Sequence, residues 1–155
     1  MLRLDIPGWG TFPIRHLVLD LNGTLALGGV LMHGVEERIR ALAGDLDIHI
    51  LTADTFGRAK ELVRDLPVNL QLIPEREQIE AKGKFISGLP LKTAAMGNGR
   101  NDMMMLKEAD LGIAVVGPEG AAAETLALAD IVVRDTIDGL DLLLNPVRLK
   151  ATLRS

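Results

Sequence analysis

Two polar motifs that follow apolar runs have the residue types that phosphoryl-transfer chemistry needs. Asp20 ends the apolar run 16–20 and is followed closely by Asn22, and Thr52 ends a second apolar run. A carboxylate can accept a phosphoryl group as an acyl phosphate, and a hydroxyl can hold the phosphoryl oxygens. Read alone, Asp20 and Asn22 are equally typical of residues that cap a turn. The rest of the chain must therefore decide between the two interpretations.

A lysine and a glycine-rich loop complete this set of polar residues. Lys82 lies in a helix predicted over about 77–87, and the loop 97–102 reads Gly-Asn-Gly-Arg-Asn-Asp. A lysine can neutralise phosphoryl oxygens, and carboxylate and amide oxygens suit Mg²⁺. Lys84 lies in the same helical turn, and the sequence leaves open which lysine points toward the other motifs. Either lysine alone is more typical of a solvated surface position.

Short apolar strands alternate with amphipathic helices along most of the chain. Strands are predicted at 16–20, 48–51, 68–73, 93–96, 111–116 and 131–133, and helices at 34–43, 55–66, 77–87, from 103, at 120–128 and at 136–144. This alternation is typical of a parallel sheet with helices on both faces. Because right-handed crossovers bring the carboxyl ends of the strands to one edge, Asp20, Thr52 and Asn98 are predicted to converge there.

The remaining segments are short and lie mostly at the ends of the chain. Residues 25–32, with two adjacent glycines, predict a β-hairpin. Residues 2–15 predict a short strand and a turn that could add an edge strand to the sheet. The last helix is predicted to end before a C-terminal tail at 145–155. We therefore expect one domain with an N-terminal extension at 1–15.

The composition restricts the classes of function. The chain has 155 residues, of which 25% are charged and 48% apolar, and its net charge of −4 argues against a general nucleic-acid surface. The absence of cysteine excludes disulfides, thiolate metal sites and a cysteine nucleophile. No apolar run is long enough to span a membrane, and the start of the chain lacks the layout of a signal peptide. We therefore expect a cytoplasmic protein that binds neither nucleic acid nor membrane.

The four motifs resemble those of the haloacid dehalogenase superfamily in order and in context. The segment 20–24 (Asp-Leu-Asn-Gly-Thr) resembles the first motif, Thr52 the second, Lys82 the third and the loop 97–102 the fourth. The resemblance covers the chain from 16 to 144. It implies a three-layer Rossmann-like α/β fold with a mainly parallel sheet of order 3-2-1-4-5, a sixth strand, and a β-hairpin flap after strand 1.

Within this superfamily, the chain is most similar to the phosphorylation domain of P-type ATPases. Residues 51–55 resemble the Thr-Gly-Asp-Asn segment of those proteins, and residues 95–102 resemble their hinge motif. The intervals between Asp20, Thr52 and Lys82 are too short for a nucleotide-binding insert or a cap domain. The resemblance implies a capless member with an open active site. Capless relatives often act on macromolecules, or form tetramers in which a neighbour's loop covers the site, so it also implies a homo-oligomer.

The resemblance assigns a role to each motif residue. The catalytic positions are Asp20 as nucleophile, Asn22 at the acid–base position, Thr52 as a phosphate ligand and Lys82 as the charge-stabilising group. Phosphate binding is assigned to Gly23, Thr24, Thr52, Ala53, Lys82 and Lys84, and Mg²⁺ binding to Asp20, the Asn22 backbone carbonyl, Asn98 and Asp102, with Gly97, Gly99 and Asn101 in support.

Two positions depart from the hydrolase pattern. Asn22 replaces the aspartate that protonates the leaving group and activates water, and Asn98 replaces a Mg²⁺-binding aspartate. An amide cannot act as an acid or base at neutral pH, and such catalysis contributes roughly 10²–10⁴ in rate. We therefore predict a slow Mg²⁺-dependent phosphohydrolase that acts through an aspartyl phosphate on a small phosphorylated substrate or a nucleotide. The alternatives are a catalytically inactive module that binds or regulates, and a capless sugar-phosphate phosphatase.

Overall fold

A computed structural model describes residues 1–54 and 57–155. The strands are β1 (Leu2–Ile6), β2 (Gly10–Ile14), β3 (His16–Asp20), β4 (Ala26–Leu27), β5 (Val30–Leu31), β6 (Asp47–Thr52), β7 (Asn69–Leu72), β8 (Thr93–Gly97), β9 (Leu111–Val115) and β10 (Ile131–Val133). The helices are α1 (Val35–Leu42), α2 (Ala59–Leu62), α3 (Gln78–Ser87), α4 (Met103–Glu108), α5 (Ala123–Leu128), α6 (Thr136–Leu144) and α7 (Pro146–Leu153).

A six-stranded sheet of order β10-β9-β8-β3-β6-β7 forms the middle layer. All of its neighbouring strands run parallel. The predicted order is confirmed, with the sixth strand added beside the fifth. His16 pairs with Asp47 on one side and with Thr93 on the other, so β3 lies between β6 and β8. Every residue of β3 is buried, as expected for a strand that helices cover on both faces.

The two faces of the sheet have separate hydrophobic clusters, because successive side chains of a strand point to opposite faces. Leu17 and Leu19 lie in the larger cluster, with the apolar residues of α1 and α6. Val18 lies in the smaller cluster, with Ile86 of α3 and Met105 of α4. The predicted three-layer arrangement is therefore confirmed.

The hairpin formed by β4 and β5 is the predicted flap after the first sheet strand. Its turn contains Gly28 and Gly29, whose φ values of +60° and +79° favour glycine. Leu27 and Val30 on the flap are exposed. Residues 21–34, between β3 and α1, contain this hairpin and no cap domain.

The two ends of the chain differ from the prediction and pack against each other. The predicted edge strand at 2–15 is wrong, because β1 pairs with β2 in a separate two-stranded antiparallel sheet. The predicted tail contains helix α7, which contacts β1, and the backbone N–H of Ser155 donates to the carbonyl of Pro7 at 3.2 Å. Pro146 starts this helix because proline at the first helical position needs no N–H partner.

Helices α2 and α5 differ most from the prediction in their bounds, and α5 starts at Ala123 instead of 120. Within the helix predicted at 55–66, the structure has α2 over Ala59–Leu62, and the predicted start at Thr55 lies outside the described residues. The helix predicted from 103 is preceded by a 3₁₀ turn at Arg100–Asp102. In the part of the chain that the structure describes, no helix has the length and apolar character needed to cross a membrane.

Candidate active site

The carboxyl edge of the sheet borders a cavity of about 340 Å³. Six of the predicted site residues line it, namely Asp20, Asn22, Thr52, Ala53, Lys82 and Asn101. Asp20 and Thr52 reach the cavity because they end the parallel strands β3 and β6, and Lys82 reaches it from α3. The predicted convergence of the motifs at this edge is therefore what the geometry shows.

Lys82 connects two carboxylates at the floor of the cavity. Its Nζ donates to Asp20 Oδ1 at 2.7 Å and to Asp102 Oδ1 at 2.5 Å, and all three side chains are buried. Lys84 is exposed and lines a different groove, so the structure does not bring it to the site. With 3.6 residues per turn, positions two apart point to nearly opposite sides of a helix. Only the packing of α3 decides which lysine faces inward.

The charged groups of this cluster shift one another's pKa values. Burial and the neighbouring Asp102 carboxylate raise the pKa of Asp20, Lys82 and the Thr24 hydroxyl oppose the rise, and the net pKa is about 7. Burial lowers the pKa of Lys82, but the charges of Asp20 and Asp102 outweigh that effect and leave its pKa raised. Lys82 is therefore a cation at neutral pH. A second cation beside Asp20 would favour its ionised form, which is the nucleophilic one.

Asp102 organises the glycine-rich loop. Its Oδ2 accepts the backbone N–H groups of Asn98 and Gly99 at 3.0 and 2.9 Å, and its Oδ1 accepts from Lys82. A Cβ on Gly97 would lie 2.6 Å from Cγ of Asp102, so this close approach requires glycine. Both Asp102 oxygens are thus used within the protein, and the side chain holds Lys82 and the loop in place.

Thr24 lies beside Asp20. Its hydroxyl is 3.0 Å from Asp20 Oδ2 and 3.3 Å from Asn98 Oδ1, and it can donate its single proton to one of them at a time. Thr24 is fully buried, and neither it nor Gly23 is among the residues that line the cavity. The structure therefore places Thr24 at the Asp20 carboxylate and Gly23 beside Asn98 and Glu119.

The oxygens around Thr24 are the donors available for a divalent cation. Asp20 Oδ2 and Asn98 Oδ1 converge on the same hydroxyl, and such hard oxygen donors suit Mg²⁺. The Asn98 amide nitrogen donates to the Gly120 carbonyl at 3.1 Å, which keeps Oδ1 turned toward Thr24. Across residues 1–54 and 57–155, no group of three or more His, Cys, Asp or Glu side chains is placed to hold a metal. The donors therefore fit Mg²⁺ in kind but with little negative charge.

Thr52 and Asn101 form the sides of the cavity. Thr52 Oγ1 accepts the backbone N–H of Asp54 at 3.3 Å, which leaves the hydroxyl proton of Thr52 available to a ligand. The Asn101 amide donates to Gln78 Oε1 at 2.8 Å and so ties the glycine-rich loop to α3. The side chain of Asn22 is exposed at the rim.

Comparison with known sequences gives two informative matches. No protein-family model matches the chain. An uncharacterised protein of Methanocaldococcus jannaschii is 60% identical over 63 residues, which cover 41% of this chain and 68% of that protein. A copper-exporting P-type ATPase of Staphylococcus epidermidis is 29% identical over 143 residues, which cover 86% of this chain and 16% of the ATPase. The chain thus corresponds to a small part of the length of that ATPase.

Solved structures show which fold this is. A haloacid dehalogenase superfamily hydrolase of subfamily III A from Legionella pneumophila superposes with a TM-score of 0.68 and 21% identity, covering 90% of this chain and 88% of that one. The chain therefore has the fold of haloacid dehalogenase superfamily hydrolases. A 3-deoxy-D-manno-octulosonate 8-phosphate phosphatase from Moraxella catarrhalis, in complex with magnesium, phosphate and KDO, superposes with a TM-score of 0.58 and 19% identity, covering 91% and 94% of the chains.

Three polar side chains near the superfamily motifs were not anticipated from the sequence. Arg58 and Gln78 line the cavity, and Glu119 lies in the loop after β9, beside Gly23 and Asn98. None of the three belongs to a motif of the superfamily. The sequence indicates these three residues only by their positions after predicted strands, because the loops and helix starts that follow parallel strands all lie at the carboxyl edge.

Proposed function

We propose that this chain is a Mg²⁺-dependent phosphohydrolase that forms an aspartyl phosphate on Asp20. The observation that carries the proposal is the buried contact of 2.7 Å between Asp20 and Lys82 at the floor of a cavity that Thr52 also lines. Structural neighbours named as hydrolases and phosphatases support phosphate esters as the substrates.

In the first step, a carboxylate oxygen of Asp20 attacks the phosphorus atom and forms an acyl phosphate. The bond from phosphorus to the leaving-group oxygen breaks, and that oxygen keeps the electron pair and takes a proton from water. The ammonium group of Lys82 neutralises charge on the phosphoryl oxygens, and the hydroxyl of Thr52 donates a hydrogen bond to one of them. Both groups are held before the substrate arrives, which reduces the cost of reorganisation.

In the second step, water attacks the phosphorus atom of the acyl phosphate. The bond from phosphorus to the Asp20 oxygen breaks, inorganic phosphate leaves and the carboxylate is restored. An aspartate at position 22 would accept the proton of the attacking water, whereas the amide of Asn22 cannot, so that proton passes to bulk water. We therefore expect the aspartyl phosphate to be long-lived and the overall turnover to be slow.

Asp20, Asn98 and the backbone carbonyl of Asn22 would hold Mg²⁺ in this proposal. When bound, the ion supplies positive charge to the phosphoryl oxygens. Asp102 was also predicted as a ligand, but its two oxygens are engaged by Lys82 and by backbone N–H groups. We therefore assign Asp102 to the positioning of Lys82 and of the loop that carries Asn98.

A second candidate function is a module that binds phosphorylated compounds without turning them over. The two amides at Asn22 and Asn98, where hydrolases of this superfamily have carboxylates, favour it. Trapping of the covalent intermediate separates the two functions, because a binding module would form no phosphoryl adduct on Asp20. A sugar-phosphate phosphatase falls within the first proposal, and a panel of phosphate esters that includes ATP would distinguish it from an ATPase.

The experiment combines trapping with turnover on wild-type protein, Asp20→Asn and the surface control Asp5→Asn. Each protein is incubated with Mg²⁺ and acetyl phosphate, and the adduct is detected by intact-protein mass spectrometry. We expect one phosphoryl group on the wild type and on Asp5→Asn, and none on Asp20→Asn. Hydrolysis of the ester panel should follow the same pattern.

The outcomes separate the candidates. Hydrolysis that survives in Asp20→Asn would overturn the assignment of the nucleophile. A wild-type protein with neither adduct nor hydrolysis, but with Mg²⁺-dependent binding of phosphate esters, would establish the binding module instead.

A further inference from the structure

The cavity is larger than a phosphoryl group needs. Asp20, Thr52 and Lys82 would contact the phosphoryl group, and the cavity volume of about 340 Å³ falls in the range, about 300–1,000 Å³, of sites that enclose small organic ligands. The remaining space must take the part of the substrate that leaves after phosphoryl transfer. The side chains around that space therefore indicate which chemical groups the leaving group has.

Arg58 is the cation in this part of the wall. Its Nη1 atom lies 3.9 Å from the position that a Cβ on Gly29 would occupy, so the guanidinium reaches from the start of α2 to the tip of the flap. The backbone N–H of Arg58 donates to Asp54 Oδ1 at 3.0 Å, which fixes the start of the side chain at the cavity. Both Arg58 and Gly29 line the cavity, so the guanidinium lies at its mouth.

The cationic groups of Arg58 and Lys82 differ in the ion pairs that they form within the protein. Lys82 is engaged by two buried carboxylates. Among the ion pairs of residues 1–54 and 57–155, none includes Arg58. Asp54 is the other charged group on this side, and its Oδ1 faces the Arg58 backbone. The guanidinium therefore has donors left for an anion that enters the cavity.

We infer that the substrate is a phosphate ester whose leaving group has a second anionic group, bound by Arg58 at the mouth of the cavity while the phosphoryl group lies at Asp20. The inference rests on the proposed function. A carboxylate or a second phosphate would supply that anion, since a guanidinium binds either through two parallel hydrogen bonds. The paired amides of Gln78 and Asn101 also line the cavity and offer further polar contacts to the substrate.

The test compares substrates that differ only in the second charge. Phosphoglycerate is set against glycerol phosphate to test a carboxylate, and fructose bisphosphate against fructose monophosphate to test a phosphate. kcat/KM is measured for the wild type, Arg58→Gln and the control Arg64→Gln, an exposed arginine that does not line the cavity. Binding of the same compounds to Asp20→Asn, which cannot turn them over, is measured by calorimetry.

We expect the wild type to prefer the more anionic member of at least one pair by about 10- to 100-fold, the range of a charge-assisted hydrogen bond. Arg58→Gln should reduce this preference about 10-fold, mainly through KM, and Arg64→Gln should leave it unchanged. The preference should also shrink as ionic strength increases, because Arg58 is exposed. The pair that shows the preference identifies the anion.

Failure of the role of Arg58 can be distinguished from failure of the proposed function. If the wild type hydrolyses the esters without preferring the anionic members, or if Arg58→Gln retains the full preference, the role of Arg58 is wrong and the proposed function stands. If no ester is hydrolysed and none labels Asp20, the proposed function fails, and this inference fails with it.

Discussion

Asn22 lies at the rim of the cavity, two residues after Asp20. The residue is exposed and lines the cavity that would receive a leaving group or an attacking water. The backbone around it is fixed, since the N–H of Gly23 donates to the carbonyl of Ala26 at 2.8 Å. An aspartate there would differ from the asparagine by one atom, so the chemistry of this position can be changed without a change of shape.

The substitution Asn22→Asp should speed hydrolysis of the aspartyl phosphate. A carboxylate at this position can accept the proton of the attacking water, and such catalysis is worth roughly 10²–10⁴ in rate. Decay of the phosphorylated protein after removal of the phosphodonor measures the effect directly. The control is Asn69→Asp, an exposed residue on β7 outside the cavity. Equal decay in Asn22→Asp and wild type would refute the acid–base explanation for slow turnover.

Lys82 should stabilise the fold as well as the site. Lys82→Met would leave Asp20 and Asp102 buried without their cation, and breaking a buried ion pair costs about 3–5 kcal/mol. Lys84→Met on the same helix changes an exposed side chain, so we expect a change within about 0.5 kcal/mol. Urea unfolding without divalent cations compares the two variants. A Lys82→Met protein as stable as Lys84→Met would show that the buried cluster does not depend on its cation.

At the scale of elements, β3 and β6 also hold a pair of histidines away from the cavity. Nδ1 of His16 and Nε2 of His49 are 3.2 Å apart, and the ring of Phe85 from α3 packs against His49. The other ring nitrogens are buried, and within the described residues they have no hydrogen-bond partner. Burial lowers the pKa of both histidines, with Asp47 opposing the shift at each of them.

This pair should make the stability of the sheet depend on pH. The unfolded chain protonates its histidines near pH 6.5, whereas the folded-state pKa is lower, so the unfolded state binds more protons below that pH. The free energy of unfolding should therefore fall as the pH drops below 6.5. The double variant His16→Leu/His49→Leu should lose this component, whereas His33→Leu, at an exposed site, should retain it. Unfolding in urea at pH 5–8 tests this, and an unchanged slope in the double variant would contradict it.

At the scale of the whole molecule, the flap leaves apolar surface beside the cavity. Leu27 is 44% exposed and Val30 is 67% exposed, and Gly29 between them lines the cavity. Single exposed apolar residues are common on protein surfaces, but these two lie on a protruding hairpin. We propose that they contact a second copy of the chain, in keeping with the homo-oligomer that the resemblance to capless relatives implies.

Light scattering at defined concentration tests this proposal. We expect a tetramer, with a mass about four times the 16.7 kDa of one chain. Val30→Asp should reduce the mass, because a buried charge at the contact would lack a partner. Val147→Asp is the matched control, since Val147 is 80% exposed on α7, away from the flap. A wild-type mass of one chain at every concentration would rule out the oligomer.

The sequence by itself determined the alternation of strands and helices and the edge at which the chemistry lies, and the order of the sheet followed from the resemblance to the superfamily. Strand and helix patterns are local, and the right-handed crossover rule converts their order into one edge that receives Asp20, Thr52 and Asn98. The same local patterns could not show that residues 2–15 form a separate hairpin with α7 packed on it. That arrangement depends on contacts between the two ends of the chain.

The tertiary structure alone decided which side chains meet at that edge. It chose Lys82 over Lys84, since the direction of a helix face is set by what the helix packs against. In the tertiary structure, Asp102 also contacts Lys82, and Arg58 lies beside the flap. These are contacts between residues far apart in the chain or on different elements. No local pattern encodes them, because they are fixed only when the helices and loops pack around the sheet.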